Sequence, residues 1–213
     1  MAVLSVSTVF ADAHLVVVNK PADLLSVPGR GSDKQDCVLH RLQQEHANAL
    51  VVHRLDMATS GLMVFALHAQ AQRVLSLRFA QRQVHKRYVA WVHGLLPVSD
   101  AWQCIDLPLI TDWPNRPRQI VSEQGKPSQT RWRCTSHKVA EHISELSLEP
   151  LTGRSHQLRV HLQAIGHPIV GDTLYGPAQP ATSRMLLHAC ELSFDHPHTQ
   201  EPMRWHSAPD WAM

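Results

Sequence analysis

Short apolar runs with the length and composition of β-strands recur throughout this 213-residue chain, and they restrict its fold more than any other feature. The runs fall at residues 3–10, 15–18, 51–52, 62–67, 88–93, 130–136, 142–149 and 186–194. The alternation of the last run predicts a strand that is buried on one face only. The residues on that face are Leu186, His188, Cys190, Leu192 and Phe194.

Two segments have the apolar spacing of α-helices instead. Residues 69–83 carry one apolar stripe, which consists of Ala71, Val74, Leu75 and Phe79. Residues 155–165 bring Leu158, Leu162 and Ile165 together, with Ser155 as the expected N-cap and Gly166 expected just after the C-cap. Many strands, few helices and no regular strand–helix–strand alternation predict an α+β fold, with a mixed, largely antiparallel sheet flanked by helices.

The composition is that of a globular protein. Hydrophobic residues make up 44% of the chain and charged residues 18%, which excludes a disordered chain, and the length fits one domain or one domain with two lobes. No apolar run approaches the roughly 18–20 residues that cross a bilayer, and no secretory signal is expected at the N-terminus. The four cysteines form no C-x-x-C pair, which predicts reduced thiols in a cytoplasmic protein.

Positive charge is concentrated in two stretches, although the net charge is only +2. Residues 57–99 contain no Asp or Glu, and residues 113–140 contain six Lys or Arg against Glu123 alone. The aromatic residues interleaved with these charges are Tyr88, Trp91, Trp113 and Trp132. This pattern is typical of nucleic-acid binding, but a solvated face has it too, so the charge pattern alone leaves both interpretations open.

A dense group of polar residues interrupts two apolar runs at residues 51–62, and Asp56 lies at the predicted turn between them. A carboxylate in such a place can act as a nucleophile or a base if a neighbour keeps it ionised. Asp is also a common turn former, because its side chain bonds the nearby backbone. The local sequence leaves both roles open.

Two further segments place polar residues at the start of predicted elements. Residues 151–161 have the pattern of a loop that opens into a helix, with Arg154 and Arg159 near its beginning. Arg159 lies on the first helical turn, from which a guanidinium can reach a buried carboxylate. Tyr88 follows two basic residues on a predicted strand, where a phenol can stack on a base, transfer a proton or pack in the core.

These segments correspond to a known set of motifs when they are taken together. The motifs are Val17-Val18-Asn19-Lys20-Pro21 followed by Leu24-Leu25-Ser26-Val27-Pro28-Gly29, then His53-Arg54-Leu55-Asp56 with Thr59-Ser60-Gly61, Lys86-Arg87-Tyr88-Val89-Ala90, Thr152-Gly153-Arg154-Ser155-His156-Gln157-Leu158-Arg159-Val160-His161 and Gly166-His167-Pro168-Ile169-Val170-Gly171-Asp172. In this order they resemble the RluA family of RNA pseudouridine synthases. The resemblance implies the pseudouridine synthase fold in a single catalytic domain over residues 1–213, without a separate N-terminal RNA-binding domain.

The resemblance also implies an isomerase that converts uridine to pseudouridine without a cofactor or a metal ion. Asp56 matches the catalytic aspartate, Arg159 the arginine that pairs with it, and Tyr88 the tyrosine that packs against the uracil. Residues 112–117 and 56–61 are similar to those of members that modify both a tRNA anticodon stem-loop and a hairpin of 23S rRNA. A member that uses one RNA class, or another tRNA position, would share the same core motifs.

RNA recognition follows from the same resemblance. Arg54 matches the position beside the target nucleotide, which must leave the helix stack to be modified. Without a separate RNA-binding domain, the basic stretches are the expected docking surface, and a monomer with no membrane partner is expected. The further RNA contacts expected are Arg78, Arg82, Lys86, Arg87, Arg116, Arg118 and Arg154.

Two other classes of function compete with this interpretation. A metal-dependent hydrolase would use the sixteen histidines, but pairs such as His156 and His161 are five residues apart, not the four of a helical metal site. A non-catalytic RNA-binding module would share the basic stretches but does not need Asp56, Tyr88 and Arg159 together. Replacing Asp56 therefore separates a binding module from an isomerase.

Overall fold

A computed structural model describes residues 5–178, 182 and 184–211, and it has the α+β fold that the sequence predicts. The described strands are β1 Ser7–Ala11, β2 Leu15–Lys20, β3 Leu50–Val51, β4 Ser60–Ala66, β5 His85–His93, β6 Gln103–Asp106, β7 Leu109–Thr111, β8 Gln119–Val121, β9 Gln129–Lys138, β10 Ile143–Pro150, β11 Leu187–Asp195 and β12 Pro202–His206. The described α-helices are α1 Val38–Leu42, α2 Ala69–Ala80 and α3 Gln157–Ala164. None of the helices in these ranges is both long and apolar enough to cross a membrane.

The described residues divide into two compact units, with one boundary after Lys86 and a second after His188. In the first unit β1, β2, β4 and β11 are neighbours in that order, while β3 pairs with β4 and β12 with β11. In the second unit the order is β5, β10, β9, β6, and β7 and β8 form a hairpin of their own. The pairs β1–β2, β2–β4, β3–β4 and β11–β12 of the first unit run antiparallel, as do β5–β10, β9–β10, β6–β9 and β7–β8 of the second, as expected for a largely antiparallel sheet.

β2 and β4 form the centre of the first unit because their side chains are almost all apolar. All seven residues of β4 are buried, as in a strand that is covered on both faces. Ala71 and Leu75 of α2 pack into the same core, on the stripe that the helical spacing predicts. Full burial of one Leu or Val side chain contributes about 1.5–3 kcal/mol, so this apolar ladder is a main source of stability for the unit.

Helix α2 is shorter than the 69–83 segment that the spacing predicts. It ends at Ala80 because Arg82 adopts a left-handed φ of 61° and the Gln83 amide bonds the Arg78 carbonyl over 2.9 Å. This 6→1 bond is the Schellman arrangement that closes many helices. The helix begins after His68, whose Nδ1 accepts the Ala71 amide over 3.3 Å.

Helix α3 departs from prediction at its start and follows it at its end. The N-cap is His156, in a left-handed conformation with φ 54°, so the expectation that Ser155 caps the helix is wrong. Gly166 follows the C-cap with φ 86°, and the His167 amide bonds the Leu162 carbonyl over 2.9 Å. Only glycine adopts this conformation at little cost, which confirms the expected helix end.

β11 is not the half-buried strand that its alternation predicts. Its first six residues are all buried, including Glu191 on the face expected to meet solvent. Glu191 can be buried because Arg204 lies 2.7 Å and His85 3.3 Å from its carboxylate oxygens. The short strands β6, β7, β8 and β12 were not predicted, and the run at 3–10 corresponds to β1, although residues 3 and 4 lie outside the described part.

Candidate active site

Asp56 lies on the turn between β3 and β4 in the first unit. The predicted turn is present, since the Thr59 amide donates to the Asp56 carbonyl over 3.1 Å. Asp56 is half-buried, whereas Leu55 and Thr59 are buried. The turn therefore carries its carboxylate between two residues that are fixed in the interior.

Lys20 holds the turn on the C-terminal side of Asp56. Lys20 ends β2 and is fully buried. Its Nζ donates over 2.7–2.8 Å to the carbonyl oxygens of Pro21, Leu24 and Met57. Hydrogen bonds from a charged donor are roughly twice as strong as neutral ones, so the ammonium ties β2 firmly to the residue after Asp56.

Ser26 holds the turn on the other side of Asp56. Its Oγ donates to the Leu55 carbonyl over 2.6 Å and accepts the Leu55 amide over 3.1 Å. Both neighbours of Asp56 in the chain are thus bonded to buried side chains. The sequence contained no sign of this double anchor beyond the motif to which Lys20 belongs.

The surroundings of Gly61 explain why the Thr59-Ser60-Gly61 motif ends in glycine. It has a φ of 114°, and a Cβ at this position would lie 2.4 Å from the Ala189 carbonyl oxygen. A side chain therefore cannot be accommodated where the turn enters β4.

His53 anchors the N-terminal end of the His53-Arg54-Leu55-Asp56 motif. Its Nε2 accepts the Val64 amide over 3.1 Å, and its ring stacks on Phe79 at a centroid distance of 4.5 Å. Burial and, to a smaller extent, the charge of Lys86 lower the pKa of His53 to about 3. The ring is therefore neutral at physiological pH, as its acceptor role requires.

Arg159 is held in the second unit by a carboxylate that the sequence did not identify. Its Nε and Nη2 donate to the two oxygens of Asp172 over 2.7 and 2.8 Å. Both side chains are buried, with exposures of 5% and 0%. Burial alone would raise the pKa of Asp172, but the Arg159 bonds and the amides of Leu174 and Tyr175 keep it below its usual value. The pair therefore stays ionised although it is buried.

A buried network of polar side chains fixes the first turns of α3. Gln157 donates to Thr130 Oγ1 over 3.0 Å and accepts the Thr152 hydroxyl over 2.7 Å. His161 Nδ1 lies 2.9 Å from the same Thr130 oxygen, and its Nε2 lies 3.0 Å from the Leu107 carbonyl. The residues bonded to the sheet, Gln157 and His161, thus lie before and after Arg159 on the same helix.

Tyr88 and Arg87 lie on β5 in the second unit, and strand alternation directs their side chains to opposite faces. Tyr88 is half-buried opposite Leu148 of β10. Arg87 Nη2 donates to Glu149 over 3.0 Å, and Arg131 lies 3.3 Å from the other Glu149 oxygen. The guanidinium of Arg87 therefore belongs to an ion-pair network on the face away from the Tyr88 ring.

The remaining predicted RNA contacts differ in how accessible they are. Arg54, Arg82, Arg116 and Arg154 are exposed, and Arg118 is half-buried. Burial lowers the pKa of the half-buried Lys86. Arg78 is buried, and its guanidinium donates to the Asp195 carbonyl and to Gln200 Oε1 inside the first unit.

Three histidines of the described ranges have contacts within the protein that suit a structural role. His161 and His156 are bonded to Thr130 and Tyr175, and His53 accepts a backbone amide. Within the described residues, no three His, Cys, Asp or Glu side chains are grouped so that they could hold a metal ion.

Comparison with known proteins decides the family. Residues 14–164 match the family model for RNA pseudouridylate synthase. The chain belongs to this family. Its relatives include proteins named Dual-specificity RNA pseudouridine synthase RluA. One from Vibrio vulnificus is 50% identical over 89% of this chain and 77% of its own length, and one from Escherichia coli K12 is 47% identical over 95% and 92%.

Solved structures of the family have the same fold. Human RNA Pseudouridylate Synthase Domain Containing 1 superimposes with a TM-score of 0.80 at 29% identity, over 98% of this chain and 85% of that one. Human RNA Pseudouridylate Synthase Domain Containing 4 gives a TM-score of 0.73 at 24% identity, over 96% and 89%. The chain is therefore an isomerase of the pseudouridine synthase family, in agreement with the motifs that carried the resemblance.

Replacing Lys20 with Met should lower the free energy of unfolding by about 2–4 kcal/mol, because three carbonyls around the Asp56 turn are then left without a charged donor. Urea unfolding measures this change. Lys126→Met is the matched control, since Lys126 is exposed and should change stability by less than about 0.5 kcal/mol. Equal stability of the two variants would contradict the anchoring role of Lys20.

The unfolding free energy should fall as the pH is lowered from about 6.5 toward 3, in part because of His53. The unfolded chain takes up a proton on His53 in this window, whereas the folded chain, with a pKa of about 3, does not. His53→Gln keeps an acceptor but does not titrate, so its stability should decline less steeply in a pH series of urea titrations. Parallel curves for wild type and variant would exclude this contribution.

Proposed function

We propose that this protein converts specific uridines to pseudouridine in two RNA classes, a tRNA anticodon stem-loop and a hairpin of 23S rRNA. The observation that carries the proposal is identity of 47–50% over 89–95% of the chain to relatives named dual-specificity RNA pseudouridine synthases. Residues 112–117, which the sequence associates with members of this type, form the exposed turn of the β7–β8 hairpin. The protein acts as a monomer in the cytoplasm, where its four free thiols stay reduced.

The reaction assigned to the site is an isomerisation that needs no added reactant. The bond from the uracil N1 to the ribose C1′ breaks, the base rotates, and a bond forms from C5 to C1′. The C5 proton leaves, and N1 gains one. Asp56 acts on the ribose as a nucleophile or a base, a role supported by the anchored turn that carries it.

Arg159 and Tyr88 are assigned the supporting roles. A guanidinium favours the ionised form of a catalytic carboxylate, and the rigid placement of Arg159 on α3 suits it to that role. Tyr88 packs against the uracil and transfers a proton, as a half-buried phenol on a strand can do. The target base has to leave its stack, and the exposed Arg54 is proposed to support the flipped nucleotide.

RNA docking is assigned to basic residues of both units that are exposed or half-buried. Arg82 and Lys86 serve in the first unit, and Arg116, Arg118 and Arg154 in the second. Arg78 and Arg87 contribute less to phosphate binding, because their guanidinium groups are engaged by Gln200 and Glu149.

Asp56→Asn should lower pseudouridine formation on the order of 10³-fold or more, because a neutral amide can act neither as nucleophile nor as base. Tritium release from C5-labelled uridine in tRNA and rRNA transcripts measures turnover, and filter binding measures RNA affinity, which should be kept. The control is Asp23→Asn, an exposed position with φ 61° that Asn adopts readily. Full turnover by Asp56→Asn would show that this residue is not catalytic. If the wild type released no tritium from any RNA, the proposed function would be wrong.

Replacing Arg116 and Arg118 together with Ala should weaken RNA binding and flatten its salt dependence by roughly 0.7–0.9 in log–log slope for each phosphate that is no longer neutralised. Binding to an anticodon stem-loop over a series of salt concentrations measures both quantities. Arg41→Ala is the control, because Arg41 pairs with the exposed Asp36 on the surface of the first unit. An unchanged slope in the double variant would remove the hairpin from the docking surface.

A further inference from the structure

Tyr175 lies between Arg159 and the β7–β8 hairpin within the second unit. Its side chain is buried at 5% exposure. The Cζ atom of Arg159 lies over its ring at 5.0 Å from the centroid, and that of Arg118 at 5.4 Å. One aromatic ring therefore contacts a guanidinium assigned to the reaction and another assigned to RNA binding.

The hydroxyl of Tyr175 adds two directed contacts. It accepts the backbone amide of Gln119, at the start of β8, over 2.8 Å. It also lies 2.7 Å from Nδ1 of His156, the N-cap of α3. A hydroxyl can accept from one group and donate to the other, so this oxygen links the hairpin to the helix that carries Arg159.

The hairpin formed by residues 109–121 is anchored at its base and exposed at its turn. At the base, Leu109 packs with Tyr175 and with Val160 of α3. In the turn, Trp113 is 65% exposed and Arg116 lies over its ring at 4.5 Å. An exposed aromatic ring with a neighbouring cation suits contact with unstacked RNA bases and phosphates.

We propose that Tyr175 is a positioning residue that couples RNA contact at the 109–121 hairpin to the orientation of Arg159. The inference rests on the proposed function for its effect on turnover, whereas the coupling itself requires only that the hairpin contacts RNA. RNA that binds the hairpin would restrain Gln119 and Arg118, which both contact Tyr175. The restrained Tyr175 ring, together with Asp172, would then hold the guanidinium of Arg159 in one orientation.

Tyr175→Phe tests the coupling because it removes the hydroxyl and keeps the ring. We expect kcat for an anticodon stem-loop to fall about tenfold, while KM changes less than about threefold. Arg116→Ala should lower both RNA affinity and the single-turnover rate at saturating RNA in the wild type. In the Tyr175→Phe background it should lower only the affinity. The proposal would be overturned if Arg116→Ala changed the single-turnover rate at saturating RNA equally in the wild type and in Tyr175→Phe.

A second measurement does not depend on turnover. The Nε proton of Arg159 donates to Asp172 over 2.7 Å and should exchange slowly with water in NMR spectra of ¹⁵N-labelled protein. Its resonance is assigned by its loss in Arg159→Lys. We expect Tyr175→Phe to speed exchange at least about fivefold, and a synthetic anticodon stem-loop to slow it in the wild type only.

The two measurements separate the two claims. RNA-dependent protection of the Arg159 proton without tritium release from any RNA would overturn the proposed function and keep the coupling. Tritium release with exchange and kcat unchanged by Tyr175→Phe would overturn the coupling and keep the function. A cooperative thermal unfolding transition of Tyr175→Phe is the control that shows whether the variant is folded under the conditions of both measurements.

Discussion

The ion pair between Arg159 and Asp172 is the interaction on which the functional part of the second unit depends. Its two charges are almost completely removed from water, and an isolated buried charge costs several kcal/mol. The pair is stable because both carboxylate oxygens are bonded and the amides of Leu174 and Tyr175 add further donors. Any displacement of Arg159 would leave Asp172 buried without its charged donor, so the helix and the following loop hold each other in place.

The first unit also contains a buried charge, and its hydrogen-bonding partners include backbone carbonyl groups. Lys20 is a buried cation that is satisfied by backbone carbonyls, and one of these belongs to the residue after Asp56. A buried charged group in each unit thus restrains a residue of the candidate site: Lys20 holds the turn that carries Asp56, and Asp172 holds Arg159 on α3. Restrained side chains suit a reaction in which charge develops, because fixed dipoles need not reorganise during it.

The regular elements were the predictable part of this molecule. β2 and β4 follow from continuous apolar runs, and α2 follows from the helical spacing of its apolar residues, because both patterns show in the sequence which side chains are buried. The cap of α3 did not follow, since His156 rather than Ser155 occupies it in a left-handed conformation. The pairing of Arg159 with Asp172 spans 13 residues through an irregular loop, for which spacing has no signature. The roles of Asp56, Tyr88 and Arg159 came from motif resemblance, and they remain predictions.

The placement of the thiols offers a single site for a fluorescent label. Three of the four cysteines, all within the described ranges, are buried, while Cys104 is exposed on β6, at the end of the strand order in the second unit. A maleimide dye should therefore attach at one position and leave the interior undisturbed. Energy transfer from that dye to a labelled transcript would report complex formation in real time, with no need to engineer a new attachment point.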